Sequence, residues 1–452
     1  MMPDFLVYPI AFVVLLGIMV VVHEFGHFAA AKLCKVRVEA FSVGFGPRLF
    51  GIKYGDTDYK ICALPLGGYV KMAGELPGEE VPVDDPGTFN AHPRWQRMLI
   101  GVAGPVANFI LAFVLMVFYF GWINEVPDIK TVKLEWVGQG SAAAQAGLQP
   151  GDIIRQFDGV NNPDWYAVMV PGSDMPSRNI SVSVERNGKL VPITLSLPEA
   201  HKWKPYDLST TGIFIEEEKA PIGIKDIMSN LPAEKAGLQP GDSILSVDGH
   251  AFHTLEPMVS YLQAGQGKPV SLMVVHNGEA ATPIVVHPVA QDGRWMIGFG
   301  HSQYPDLPTR TQPMGFANGV AASEDFCADN SLLIFGTIQK LLTHQASVKQ
   351  LVGPLGIAQA AGDAAKTKDW SSKFGLAAGI SLNLGILNLM PFPILDGGLI
   401  LFLLIESLMR RDVNIMIKER IYQAAFVLLV FFAVFILFND ATKLPFFVHL
   451  KL

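Results

Sequence analysis

The sequence predicts a mixed membrane protein: four transmembrane helices, a cytoplasmic-side β-hairpin, and two tandem β-rich domains inserted between helices two and three. Three observations predict it. Half of the 452 residues are hydrophobic, and they gather in four long runs. Only 17% are charged, against about 25% in an average soluble chain. A string in the middle of the chain, Ala146-Gly147-Leu148-Gln149-Pro150-Gly151-Asp152, recurs 90 positions on as Ala236-Gly237-Leu238-Gln239-Pro240-Gly241-Asp242. The net charge of −7 leaves no basic footprint for nucleic acid. Three cysteines exclude a disulfide-built scaffold and an all-cysteine zinc site.

The elements follow in order. Phe5 to Val22 is apolar throughout, and residues 1–34 are expected to form the first helix. The acidic start, Met1-Met2-Pro3-Asp4, argues for a retained span rather than a cleaved leader. Residues 35–97 carry Lys35, Arg37, Arg48, Lys53, Lys60, Lys71, Arg94 and Arg97, which marks this loop as cytoplasmic. Residues 98–123 form the second span. Residues 374–409 form a third, overlong run interrupted by Pro391-Phe392-Pro393, so a broken helix is expected. Residues 421–440 form the fourth span. Arg410, Arg411, Lys418 and Arg420 put the loop before it on the cytoplasmic side. The long stretch between spans two and three then lies outside.

That stretch divides by its repeat into domains at 127–218 and 219–303. Each copy continues in parallel. Pro-Gly-Asp reads as a turn, Ile153 to Phe157 and Ser243 to Val247 as strands, and Asp158-Gly159 and Asp248-Gly249 as hairpin turns. A unit of this length is a domain, not a solenoid repeat. Residues 304–373 are a linker in which Ser331 to Leu342 has helical periodicity, suited to an amphipathic helix.

The chemistry begins at the end of the first run with His23-Glu24-Phe25-Gly26-His27. On a helix, positions i and i+4 share a face, so both imidazoles reach one cation while Glu24 stands beside it as a base. A third ligand is found by elimination. Span two and the apolar run of span four, Ile421 to Phe438, hold no carboxylate, and Asp396 is the only acidic residue between Phe374 and Ile405. An unpaired carboxylate in hydrocarbon is unfavourable, and a divalent cation removes that cost. Glu406 is the fallback ligand, and His92, beside Pro93 in a polar loop, a weaker candidate. Spacing alone does not select zinc over iron or cobalt. A straight helix would set Asp396, fourteen residues before Arg410, deeper in the membrane than His23, nine residues before Lys32.

The motif His23-Glu24-Phe25-Gly26-His27, together with Asn388-Leu389-Met390-Pro391-Phe392-Pro393-Ile394-Leu395-Asp396-Gly397-Gly398, resembles the site-2 protease family of intramembrane zinc metalloproteases. The repeated insert resembles tandem PDZ domains of the bacterial type. The resemblance implies Zn2+ held by His23, His27 and Asp396, with Glu24 catalytic, and substrate contact by Asn388, Pro391, Pro393 and Tyr69. Gly44-Phe45-Gly46 and Pro65 to Met72 look like the family's membrane-associated β-hairpin, whose edge receives the substrate as a strand. Gly104-Pro105-Val106-Ala107-Asn108 matches the family's small-residue motif, which on its own residues reads as close helix packing.

Further implications concern biology. The substrates would be single-span membrane proteins of the anti-sigma-factor type, and remnant signal peptides, cut within the bilayer during an envelope stress response. The PDZ-like domains would contact peptides or exclude bulky substrates. The setting would be the bacterial inner membrane, with lipid around the spans and the PDZ-like domains in the periplasm. Two other readings exist. A membrane-tethered PDZ peptide-binding adaptor without catalysis would tolerate loss of Glu24 and Asp396. A divalent-metal transporter would line more than one span with polar residues, and spans two and four are nearly bare.

Overall fold

Asp4–Leu33 form one helix, α1, in the computed structural model, which describes residues 3–75, 85–169, 179–196, 211–217, 220–228, 230–276, 278–291, 293–301, 308–343 and 352–442. Nothing between Phe5 and Val22 competes with the backbone for hydrogen bonds, so the helix runs unbroken. It ends where the Cys34 amide donates to Ala30 and Lys35 turns left-handed at φ 63°. Two long strands follow, β1 (Val38–Tyr54) and β2 (Thr57–Met72). Both are bent, at Gly44 (φ 88°) and Gly67 (φ 140°), conformations that side chains disfavour. The bends fold the pair into four segments. Residues 38–43 pair on one side with 68–72 and on the other with 58–61, while 48–54 pair with 57–62. The segment 68–72 therefore forms a margin of the sheet. Helix α2 (Arg94–Phe118) starts after Pro93 and ends in a wider turn over Tyr119–Ile123.

The chain then enters a separate compact unit, residues 125–312, apart from the helical unit formed by 1–124 and 313–452. It opens with β3 (Glu125–Pro127). A first module follows: β4 (Leu134–Val137), β5 (Ile153–Phe157), β6 (Val160–Asn161), β7 (Asn179–Arg186), β8 (Lys189–Ser196) and β9 (Ile213–Ile215). They form a sheet ordered β6-β5-β7-β8 and the pair β4-β9. Alternation along β7 turns Ile180, Val182 and Val184 inward onto Leu134, Phe157 and Leu195. A second module repeats the plan with β10 (Ile222–Ile227), β11 (Ser243–Val247), helix α3 (Leu255–Gly265), β12 (Val270–Val275), β13 (Thr282–Val286), the small hairpin of β14 (Val289–Gln291) and β15 (Arg294–Met296), and β16 (Phe299–His301). Its sheet order is β13-β12-β11-β10-β16.

The repeated Pro-Gly-Asp has one structural use in both copies. Asp152 accepts from the Gln149 amide at 2.9 Å, and Asp242 from that of Gln239 at 2.8 Å. Each buried carboxylate then meets a cation-forming side chain, Arg186 in the first copy and His276 in the second. The modules share side chains. Trp136 of β4 packs into the second core beside Phe252, His250 and Tyr261, and Glu135 accepts from the His253 amide at 2.7 Å. Strand β17 (Thr309–Thr311) closes the unit by pairing with β3. The expected domain limits at 218 and 303 fall outside the described residues.

The helical unit resumes with α4 (Phe316–Leu342), which contains the expected 331–342 segment but begins a full fifteen residues earlier, and α5 (Pro354–Lys366). Next come α6 (Trp370–Asn388), α7 (Asp396–Met409) and α8 (Ile415–Thr442). Among the described residues, three helices are long and apolar enough to cross a membrane: Leu6–Leu33, Arg94–Ile123 and Ile415–Asp440. The third apolar run is divided between α6 and α7, broken over 389–395 around its two prolines, and neither half meets that length and hydropathy alone. Helix α8 is fastened near both ends. Asp440 accepts from the amides of Gly353, Leu355 and Gly356 at the start of α5, at 3.1–3.2 Å. The fully buried Glu406 of α7 pairs with Lys418 at 2.5 Å.

Candidate metal centre

One turn separates His23 from His27 on α1, and both are buried. Helix α2 runs against this face. Gly104 leaves the room that the His27 ring fills, since a Cβ there would lie within 2.6 Å of its Cε1. One turn earlier, the Ile100 carbonyl accepts from His27 Nδ1 at 2.7 Å. One turn later, Asn108 meets His23 Nδ1 at 3.1 Å.

The third group arrives on α7. After Asn388 the chain leaves the helix, and the Leu395 amide donates back to Phe392 at 2.9 Å. Gly397 and Gly398 pass so close to the carbonyls of Leu389, Met390 and Phe392 that no side chain fits there. The break thus restarts the helix at Asp396, whose Oδ2 lies 3.1 Å from His23 Nε2 and whose Oδ1 lies 3.4 Å from His27 Nε2. The straight-helix difference in depth is removed by this break.

The donor set fits a cation. A carbonyl can only accept, so His27 carries a proton on Nδ1, and in the neutral ring the Nε2 lone pair turns inward. That lone pair faces His23 Nε2 at 3.2 Å and a carboxylate. The potential ligand atoms of His23, His27 and Asp396 all lie within 4.8 Å of one another. Asp396 Oδ2 is buried with no hydrogen-bond donor among the described residues. Acceptors crowded like this repel unless a positive charge sits between them. Two imidazoles and a carboxylate suit zinc and leave a position for water.

Glu24 sits on the same helix, half-buried. A Cβ at Gly68 would meet its Cγ at 3.1 Å, so the marginal strand 68–72 runs beside it. Asn388 Nδ2 lies 3.2 Å from His23 Nε2. Tyr69, next to Gly68, stacks on Phe45 with ring centroids 6.0 Å apart and lies under Lys60. Pro391 and Pro393 lie in the break itself. The fallback residues lie outside this group: Glu406 is held by Lys418 and the Val413 amide, and His92 Nδ1 is bonded to the Thr88 carbonyl. The contact of Asn108 with His23 is not foreseen by the small-residue motif. Its signal in the sequence is a strongly polar residue at mid-span.

A buried cation site with a glutamate beside it, on helices long enough to cross a bilayer, defines a membrane metallopeptidase. The family profile for peptidase family M50 matches residues 11–432. The chain belongs to that family and is a zinc metalloprotease. It is similar to the regulator of sigma-E protease RseP of Salmonella typhimurium (strain 14028s / SGSC 2262), 34% identical over 96% of this chain and 98% of that one. The protein of the same name from Escherichia coli (strain K12) is also 34% identical, with the same coverage. A solved PDZ domain, from the SdrC-like protein of Listeria monocytogenes, aligns with 19% of this chain and 92% of its own at 20% identity and a TM-score of 0.18.

Proposed function

We propose that this protein is an intramembrane endopeptidase of the bacterial inner membrane, with His23, His27 and Asp396 as its zinc ligands and Glu24 as its proton carrier. The observation that carries the reading is the meeting of two imidazoles from the first span with a carboxylate from the far end of the chain, within reach of one ion. Bound there, zinc supplies Lewis-acid polarisation of a carbonyl and acidifies water.

The remaining work falls to the chain. Glu24 takes the proton from the attacking water and returns it to the leaving amine. A helical substrate hides its carbonyls in i to i−4 bonds, so it must unwind before it can be cut. The margin at 68–72 offers replacement bonds by adding the substrate as a further strand. That strand would set the scissile peptide beside Glu24, because the margin at 68–72 already runs alongside it. Asn388, with an amide pointing at the same centre, holds the substrate backbone, and Tyr69, Pro391 and Pro393 line its path. On the sheet's far side Phe50, Ile52 and Tyr54 are more than 70% exposed, which suits a lipid interface.

The substrates in this reading are single-span membrane proteins of the anti-sigma-factor type and remnant signal peptides, in keeping with relatives named as regulators of sigma-E protease. The two β modules, read as periplasmic PDZ-like domains, screen substrates by size or bind their ends. The test is Glu24→Gln in the full-length protein with a single-span reporter. Zinc content should match the wild type while cleavage falls by at least about 10²-fold. Normal cleavage by that variant would remove the proposed mechanism.

A further inference from the structure

The geometry points to Asn108 as the positioning residue of this centre: its side-chain carbonyl accepts the Nδ1–H of His23 and so fixes that imidazole with Nε2 toward the ion. The inference rests on the reading of His23 as a ligand.

Three observations carry it. First, α2 presents Ile100, Gly104 and Asn108 on successive turns to His27 and His23 on α1. His27 already shows the arrangement. Its Nδ1–H is spent on a backbone carbonyl, and its Nε2 faces His23 and Asp396. Asn108 occupies the matching place opposite His23 Nδ1, one turn along.

Second, Asn108 is fully buried, and its Oδ1 has no hydrogen-bond partner among the described residues while its Nδ2 stands at His23 Nδ1. With Nδ2 there, the amide donates and a neutral His23 must carry its proton on Nε2, aimed at Asp396 and His27 Nε2 and set against the Nδ2 donor of Asn388 at 3.2 Å. That arrangement blocks the ligand atom and wastes a buried acceptor. The oxygen and nitrogen of an amide are exchanged by a half-turn that leaves its shape unchanged, so the network decides their order. With Oδ1 toward His23, the acceptor is satisfied and Nε2 is released.

Third, the residue is held in place from its other side. The Asn108 backbone carbonyl accepts from Ser381 Oγ at 2.8 Å, and Ser381 is fully buried on α6. Histidine ligands generally donate their second N–H to such a partner, and losing it typically weakens metal binding 10- to 100-fold.

The experiment measures zinc affinity of the full-length protein in detergent by chelator competition, without reference to proteolysis. Asn108→Leu keeps the branched outline and removes the acceptor, and its affinity should fall by about 10- to 100-fold. Asn108→Asp keeps an acceptor and removes the donor, and should bind within about threefold of wild type or more tightly. A residue that only packs predicts the reverse order, with leucine tolerated and aspartate harmful, and that order would overturn the inference. The Co2+-substituted protein gives a second reading, because its visible absorption bands report ligand geometry. They should shift in Asn108→Leu and hold in Asn108→Asp, and an unshifted spectrum in the leucine variant counts against the assignment. Helix content of the metal-free variants checks folding. His23→Ala separates the two levels. If it binds zinc like the wild type, the ligand reading itself fails; if it loses zinc while Asn108→Leu does not, only the role of Asn108 fails.

Discussion

At the scale of single residues, the centre depends on what is missing as much as on what is present. Gly104 is one such place. A methyl group there would overlap the His27 ring, which is buried and held by the Ile100 carbonyl, so the ring would have to leave its place. Gly104→Ala should therefore lower zinc content at least about 10-fold with the protein still folded, as a displaced ligand does. Gly17→Ala, on α1 with no neighbour within 4 Å of its added Cβ, is the control, and should keep its zinc and gain slightly in stability. Much of the centre was legible in the sequence at this scale. The spacing of His23 and His27 is covalent, and a helix converts it directly into a shared face. Asp396 was accessible by scarcity, as the lone acidic residue between Phe374 and Ile405. Asn108 was not, because nothing in the apolar pattern of α2 says which of its faces meets α1.

At the scale of elements, prolines and charges decide where helices stop and how they are held. The break at Pro391 and Pro393 was legible, since a missing amide and a fixed φ end a helix whatever surrounds it. The fourfold folding of β1 and β2 was not. It depends on register between distant segments and on bends at Gly44 and Gly67, and pairing register is set by contacts rather than by composition. Lys418 shows how a charge on one helix secures another. It neutralises Glu406, which is buried completely between α7 and its neighbours. Lys418→Met should destabilise the protein by about 3 kcal/mol, because a buried carboxylate is left without its partner. The double replacement Lys418→Met with Glu406→Leu should recover most of that loss. Thermal unfolding in detergent of the two singles and the double variant measures the coupling, and additive losses would contradict it.

At the scale of the whole molecule, duplication was the most visible feature of the sequence, and the two copies fold on one plan down to the use of Asp152 and Asp242. What the repeat could not reveal is that the copies are joined through side chains. Trp136 belongs by sequence to the first module and by packing to the second core. Trp136→Ala should cost about 3–5 kcal/mol, as for other large buried rings. The loss should appear as faster amide exchange in β10, β11 and α3 as well as in β4, and an effect confined to β4 would contradict the shared core.

The pairing of β3 with β17 brings the first and last strands of the insert side by side. A domain whose ends already touch can be lifted out or replaced by a short bridge at almost no entropic penalty, because the gap to be spanned is only the width between two neighbouring strands. Inheritance can therefore tinker with this insert, lengthening, swapping or discarding it, while the helical unit that carries the candidate metal centre stays as it was.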